Sequence, residues 1–165
     1  MYTERLKISL LDRKDIHEAK ELFTDAGTRA YLGGTINEDT AIYKLKKWVA
    51  RNQNDEAWYF TIRLKCGEFI GIVSIDDYID TIYKDLSFQF LSKHWHQGYA
   101  YEAISNILIE IQRLLVKDVI AETQKDNNHS IRLLKKLGFK LVDEYERFNS
   151  KQCLFIIEKA FVGLN

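Results

Sequence analysis

Trp95-His96-Gln97-Gly98-Tyr99-Ala100-Tyr101-Glu102-Ala103 joins a strand-like stretch, Asp85 to Leu91, to an amphipathic helix that begins near Tyr99. The helix carries Ile104, Ile107, Leu108, Ile111 and Leu115, an i, i+3, i+4, i+7, i+11 stripe running to about Val116. Gly98 and Ala100 have little or no side chain, so the backbone N–H groups of the first turn stay open to a ligand. Those groups have no partner inside the helix and sit at the positive end of its dipole, which makes the turn a receptor for phosphate.

Outward from this turn, the period is two in the preceding residues. Trp58, Phe60, Ile62 and Leu64 alternate with Tyr59, Thr61 and Arg63 as a half-buried strand. Lys65–Glu68 forms a hairpin turn, Phe69–Ile75 the returning strand, and Asp76–Lys84 a connection. Toward the N-terminus, Leu6–Leu11 reads as a first strand. Asp12 caps a helix with Ile16, Ala19 and Phe23 on its inner face. Gly27 and Gly33-Gly34 break the chain, and Thr35-Ile36-Asn37-Glu38 has the form of a capping box for a second helix carrying Ala41, Leu45, Trp48 and Val49. Beyond the central helix come a strand, Val119–Thr123, a turn, Gln124–Asn127, and a helix, Asn128–Leu137, that ends at Gly138. Leu141–Tyr145 and Cys153–Ile157 are two closing strands.

The order predicts an α+β fold with a mixed central sheet of about seven strands and four helices. With 165 residues and neither repeat nor linker, the chain reads as a single domain over 1–165. Lys+Arg and Asp+Glu are both 24, which leaves no net field to draw in nucleic acid or an anionic membrane. No apolar run approaches the roughly 18 residues of a membrane helix, and the N-terminus lacks the apolar stretch of a secretory signal. Cys66 and Cys153 have no ligand spacing and read as free thiols of a reducing, cytoplasmic compartment. His17, His94, His96 and His129 match no metal-binding pattern, so no metal site is expected. Proline is absent, so turns fall to Gly, Asn, Asp and Ser.

The segment Trp-x-x-Gly-Tyr-Ala-x-Glu-Ala resembles the acetyl-CoA pyrophosphate loop of GNAT N-acetyltransferases, in the branch of the ribosomal-protein N-terminal acetyltransferases. A second stretch, Asn127-Asn128-His129-Ser130 leading to Lys136-Leu137-Gly138-Phe139, resembles the family's Asn-x-x-Ser signature and its helix ending in Lys-Leu-Gly-Phe. The predicted element order also matches the GNAT fold along nearly the whole chain. Three departures stand out. The branch usually has Gly at the place of His96 and a basic residue at the place of Gln97, and many members have Tyr where this chain has Leu134.

The resemblance implies acetyl-CoA as cosubstrate, with no metal, bound where the strand before the loop splays from the strand after the helix. It implies cofactor contacts from Phe90, Leu91, Trp95, His96, Gln97, Gly98, Tyr99, Ala100, Asn127 and Ser130. Ser130 fills the place of the group that supports the departing thiolate, set against a role as a first-turn cap. Asp85 aligns with an acidic residue at the start of the family's central strand and is the candidate base, with water or an acceptor that arrives deprotonated as the alternatives. Glu102 sits in a first helical turn, where an acid favours the dipole, and reads as structural. The implied function is direct acetyl transfer to a primary amine, a protein N-terminus or a small molecule, by a monomer or homodimer. The acceptor wall is expected from the first two helices, the Gly33-Gly34 region and the Arg147–Lys151 loop. The rival is a non-catalytic acyl-CoA-binding module on the same fold.

Overall fold

The computed structural model describes residues 1–79, 82–112, 118–147 and 149–158. The strands are β1 (Leu6–Leu10), β2 (Trp58–Leu64), β3 (Phe69–Asp77), β4 (Lys84–Phe90), β5 (Val119–Gln124), β6 (Lys140–Arg147) and β7 (Ser150–Ile157). They form one seven-stranded sheet in the order β1-β2-β3-β4-β5-β7-β6. Neighbours are antiparallel except β4 and β5, which run parallel because a helix crosses between them.

That crossover helix is α5 (Tyr99–Gln112). Ile104, Ile107, Leu108 and Ile111 are all buried, against Leu6, Ile8, Ile75, Leu86, Val119 and Ala121 of the sheet. The expected continuation through Leu115 and Val116 lies outside the described residues. α6 (Asn128–Lys136) joins the same layer through Leu134. On the other face, Leu22, Phe23, Ala41, Leu45 and Val49 pack on Tyr59, Phe69, Ile72 and Leu91.

Several expectations change. The single helix expected after Asp12 is a 3-10 turn and three four-residue helices, α1 (Ile16–Ala19), α2 (Glu21–Thr24) and α3 (Ala26–Arg29). Asp25 causes the last break. Its backbone is extended and its carboxylate accepts from the Thr28 N–H, so it ends α2 and caps α3. Gly27 lies inside α3 instead of breaking the chain. α4 (Glu38–Gln53) is capped by Asn37, whose side chain accepts from the Thr40 N–H at 2.8 Å. Thr35 therefore caps nothing, and Glu38 instead meets Lys20 Nζ at 2.6 Å. Strand β2 is covered on both faces, with Tyr59 and Thr61 as buried as Ile62, because α4 lies over the side expected to be wet. The last two strands are longer than expected and meet at a turn where Asn149 has φ +56.

Gly71 is needed for close approach. A Cβ there would stand 2.6 Å from the Gln89 carbonyl oxygen and 2.8 Å from the Phe90 ring, so only Gly lets that ring lie across β3. Cys66 and Cys153 are both free. Among the described residues no helix is long and apolar enough to cross a membrane.

Candidate active site

Strands β4 and β5 pair only at Lys84↔Val119 and Asp85↔Ile120, then part. A cleft of about 530 Å³ opens between them, bounded by the start of α5, the first turns of α6 and the Thr28–Leu32 segment. Residues two apart on a strand turn their backbone groups to the same side. The Lys84 N–H donates to Asp118 O on the β5 side, so the N–H and C=O of Phe88 also point that way, into a gap with no strand opposite. Of the groups expected to do this, two have protein partners, while the Phe90 N–H lies on the same side as that of Phe88. The Phe90 carbonyl accepts from the Trp95 indole at 2.7 Å and from Thr28 Oγ1 at 3.2 Å, and the Leu91 N–H donates to Ile70 O. Leu91 is buried in the second core and does not line the cleft, whereas Phe90 does.

At the turn before α5, Trp95, His96, Gly98, Tyr99 and Ala100 line the cleft. Trp95 ties the turn to β4 through that indole bond. Gly98 has φ +81, a conformation that costs Gly little. The N–H groups of Gly98, Tyr99 and Ala100 have no protein acceptor among the described residues, and all three residues line the cleft at a helix start. His96 holds φ +62, where Gly would be relaxed, and its ring lies 4.7 Å from that of His129. Gln97 points away, its amide near the Lys93 carbonyl, and does not line the cleft. Glu102 accepts from the Arg5 N–H at 2.8 Å and Arg5 Nε at 2.7 Å, and also from Thr3 Oγ1.

On α6 the cap is Asn127, whose Oδ1 accepts from the Ser130 N–H at 3.1 Å. Ser130 Oγ is therefore not the cap. It has no partner among the described residues, and both Asn127 and Ser130 line the cleft. Leu134 is fully buried and takes no part in the cleft.

The far end is acidic. Asp76 and Asp85 are cross-strand neighbours, and Glu122 of β5 is close enough to act on Asp85 by charge. Arg51 and Tyr59 hold Asp76, with Arg51 Nη2 to Oδ1 at 2.7 Å. Glu122 accepts from Tyr145 Oη and from Arg147 Nη1. Asp85 has no cationic partner among the described residues, and only Ser87 Oγ donates to it, at 3.2 Å. Burial, with smaller repulsion from Glu122 and Asp76, outweighs the Ser87 bond and pushes its carboxyl up to about 6. Asp85 does not itself line the cleft, while its partner Ser87, Gln89 and Glu122 do. Gln89 Oε1 is buried with no partner. Glu122 and Gln89 escaped the sequence reading because neither belongs to a motif, Gln89 alternating with Phe88 and Phe90 and Glu122 opening the polar end of a strand.

Thr28, Tyr31 and Leu32 supply the wall expected from the first helices, and the Gly33-Gly34 pair lies next to it without lining the cleft. The described part of the Arg147–Lys151 turn reaches the site through the bond from Arg147 to Glu122, and position 148 lies outside the described residues. Asp25 fastens this wall to the end of β4, accepting from Thr28 and from the Ser92 N–H. These bonds, led by Thr28, hold its carboxyl down at about 2. Among the described residues no three His, Cys, Asp or Glu side chains gather as a metal would require.

Among solved structures the fold has close counterparts. A GNAT-family acetyltransferase from Bacillus anthracis superposes with a TM-score of 0.82 at 20% identity, over 97% of this chain and 98% of its own. An acetyltransferase from Salmonella typhimurium, described as modifying the N-terminal serine of a 50S ribosomal subunit protein, gives 0.80 at 13% identity, over 94% and 96%. A ribosomal-protein alpha-N-acetyltransferase in complex with coenzyme A gives 0.81 at 11% identity, over 94% and 95%. No curated protein matches the sequence. The sequence profile of the acetyltransferase (GNAT) domain matches residues 5–140, most of the chain, and with the split β4–β5 pair and the open turn before α5 it shows that the protein belongs to the GNAT acetyltransferase family.

Proposed function

We propose that this protein is an acetyl-CoA-dependent N-acetyltransferase that moves the acetyl group directly to a primary amine, with the α-amine of a peptide or protein as the preferred acceptor. The observation that carries this reading is the cleft's polarity: unpaired N–H donors at one end and an uncompensated carboxylate bound by the lining Ser87 at the other. The thioester supplies an activated acyl carbon. The N–H groups of Gly98, Tyr99 and Ala100 receive the pyrophosphate, and the Phe88 backbone pairs with amides of the pantetheine arm. Trp95 holds the turn in place, His96 and Asn127 flank it, and Gln97 contributes through its backbone alone. Ser130 Oγ donates to the leaving sulfur.

The acceptor must lose a proton before its nitrogen can attack. Asp85 takes that proton by way of the Ser87 hydroxyl, which lines the cleft. A carboxyl at about 6 lies roughly 2 units below an α-ammonium but more than 4 below a lysine-like one. Transfer from an α-amine is the less uphill step, which favours the terminal amine. Two of the structural relatives named above are themselves described as acting on ribosomal proteins, in keeping with that choice. The free thiols fit a cytoplasmic location.

The buried Leu134, which cannot donate a proton, favours the second reading, a module that binds acyl-CoA without turnover. Incubating the protein with acetyl-CoA and a panel of peptide and small amines, while measuring free thiol and acetylated product, decides between them. Amine-dependent thiol release, fastest with α-amines, is the expected result. Binding of acetyl-CoA with no release across the panel would establish the module instead.

A further inference from the structure

We infer that Arg5 is a positioning residue for the phosphate turn, fixing the Gln97–Gly98 peptide so that the Gly98 N–H faces the cleft. The inference rests on the reading of this turn as the pyrophosphate receptor. Arg5 lies just before β1, far in sequence from the turn. Its Nη1 donates to the Gln97 carbonyl at 2.9 Å. Its Nε and its own backbone N–H are both bound by Glu102, and the guanidinium lies 4.6 Å from the centre of the Tyr99 ring. Arg5 does not line the cleft, while Gly98, Tyr99 and Ala100 do.

The geometry follows from the peptide unit. The bond is trans and planar, so its C=O and N–H point in opposite directions. Arg5 does not line the cleft, so holding the Gln97 oxygen against it turns the Gly98 N–H to the opposite side, where the lining residues are. Gly98 allows this approach: a Cβ there would come 3.3 Å from Arg5 Nη2, and the residue sits at φ +81. Lys cannot replace the device, because one ammonium would have to reach Glu102 and the Gln97 carbonyl together. The guanidinium fork spans both. Glu102, set in the first turn of α5, is thus the anchor that places Arg5. The turn's missing basic side chain at Gln97 costs little if its strength lies in aimed N–H groups.

The test compares equilibrium binding of coenzyme A and of pantetheine, which shares the thiol arm but lacks the pyrophosphate, in wild type, Arg5→Ala and Arg5→Lys. Thermal melting checks that each variant is folded. With a charged ligand losing an aimed donor, coenzyme A affinity should fall by about tenfold in Arg5→Ala and by less in Arg5→Lys. Pantetheine affinity should stay unchanged in both. If Arg5→Ala does not fold, the ligand-selective loss in Arg5→Lys carries the test. Equal losses for both ligands would make Arg5 a general structural residue, and unchanged coenzyme A binding would remove its role at the turn; either result overturns the inference. Wild type that fails to bind coenzyme A would instead overturn the reading of the turn itself.

Discussion

The two ends of the cleft are built by different means. In the proposed reading the phosphate end works through main-chain N–H groups, so His96 and Gln97 can stand where the family usually has Gly and a basic residue without removing a donor. At the acceptor end, recognition rests on side chains drawn from distant segments: Thr28 and Tyr31 from the first layer, Ser87 and Gln89 from β4, Glu122 from β5. Change at a position is therefore tolerated at one end unless it alters backbone shape, and it alters chemistry directly at the other. Two proteins sharing the first end need not share an acceptor.

Substitutions that keep shape should thus be costly only at the acceptor end. The largest effect is expected at Asp85. Asp85→Asn keeps size and removes proton acceptance, so kcat/KM should fall by about 10² or more while coenzyme A binding is retained. The wild-type rate should rise with pH through about 6 as this carboxyl ionises, and the variant should lose that limb. Stability gives a second readout with a definite sign. A carboxyl raised to about 6 binds more protons folded than unfolded between pH 4 and 6, so wild-type stability falls as pH rises through that window. Asp85→Asn removes the fall and should melt higher than wild type at pH 7, with little difference at pH 4. An unchanged rate and pH profile would return the proton to bulk water.

Ser130 lines the same cleft from the first turn of α6. With the capping role held by Asn127, Ser130→Ala should leave α6 and cofactor affinity nearly intact and lower kcat by about tenfold or more, as for one lost transition-state donor. Equal losses in affinity and rate would move Ser130 to the phosphate side of the comparison. A normal rate would remove it from the chemistry.

The same contrast explains what could be read in advance. The Ile104–Ile111 stripe, the small residues Gly98 and Ala100, and the Asn127-to-Gly138 helix are local patterns, each set by neighbours within a few residues. The seven strands follow from alternation and turn chemistry, in a chain whose described positive-φ residues are only Gly, Asp, His and Asn. Part of what escaped was a choice between neighbouring caps, as at Asp25 and Asn37, and the rest depends on long-range contact. Asp25, which caps α3 through Thr28, also holds Ser92, 67 residues away. Tyr59 and Thr61 are buried by a helix that periodicity within β2 cannot reveal, and Asn37 displaces Thr35 as a cap by its place in the folded turn. Glu122 and Gln89 become site residues only when β4 and β5 diverge. Asp85 was legible as a candidate, but its bond from Ser87, and the partners that hold Asp76 and Glu122 beside it, were not.

The central claim, that the turn before α5 binds phosphate through its backbone, is tested most directly by calorimetric titration of coenzyme A into Gly98→Val. A branched residue is strained at φ +81 and would stand against Arg5, shifting the N–H groups out of line without removing a donor or a charge. The account predicts a folded variant whose affinity for coenzyme A is weakened by at least about tenfold, or 1.4 kcal/mol. A folded variant that binds coenzyme A as tightly as wild type would contradict it.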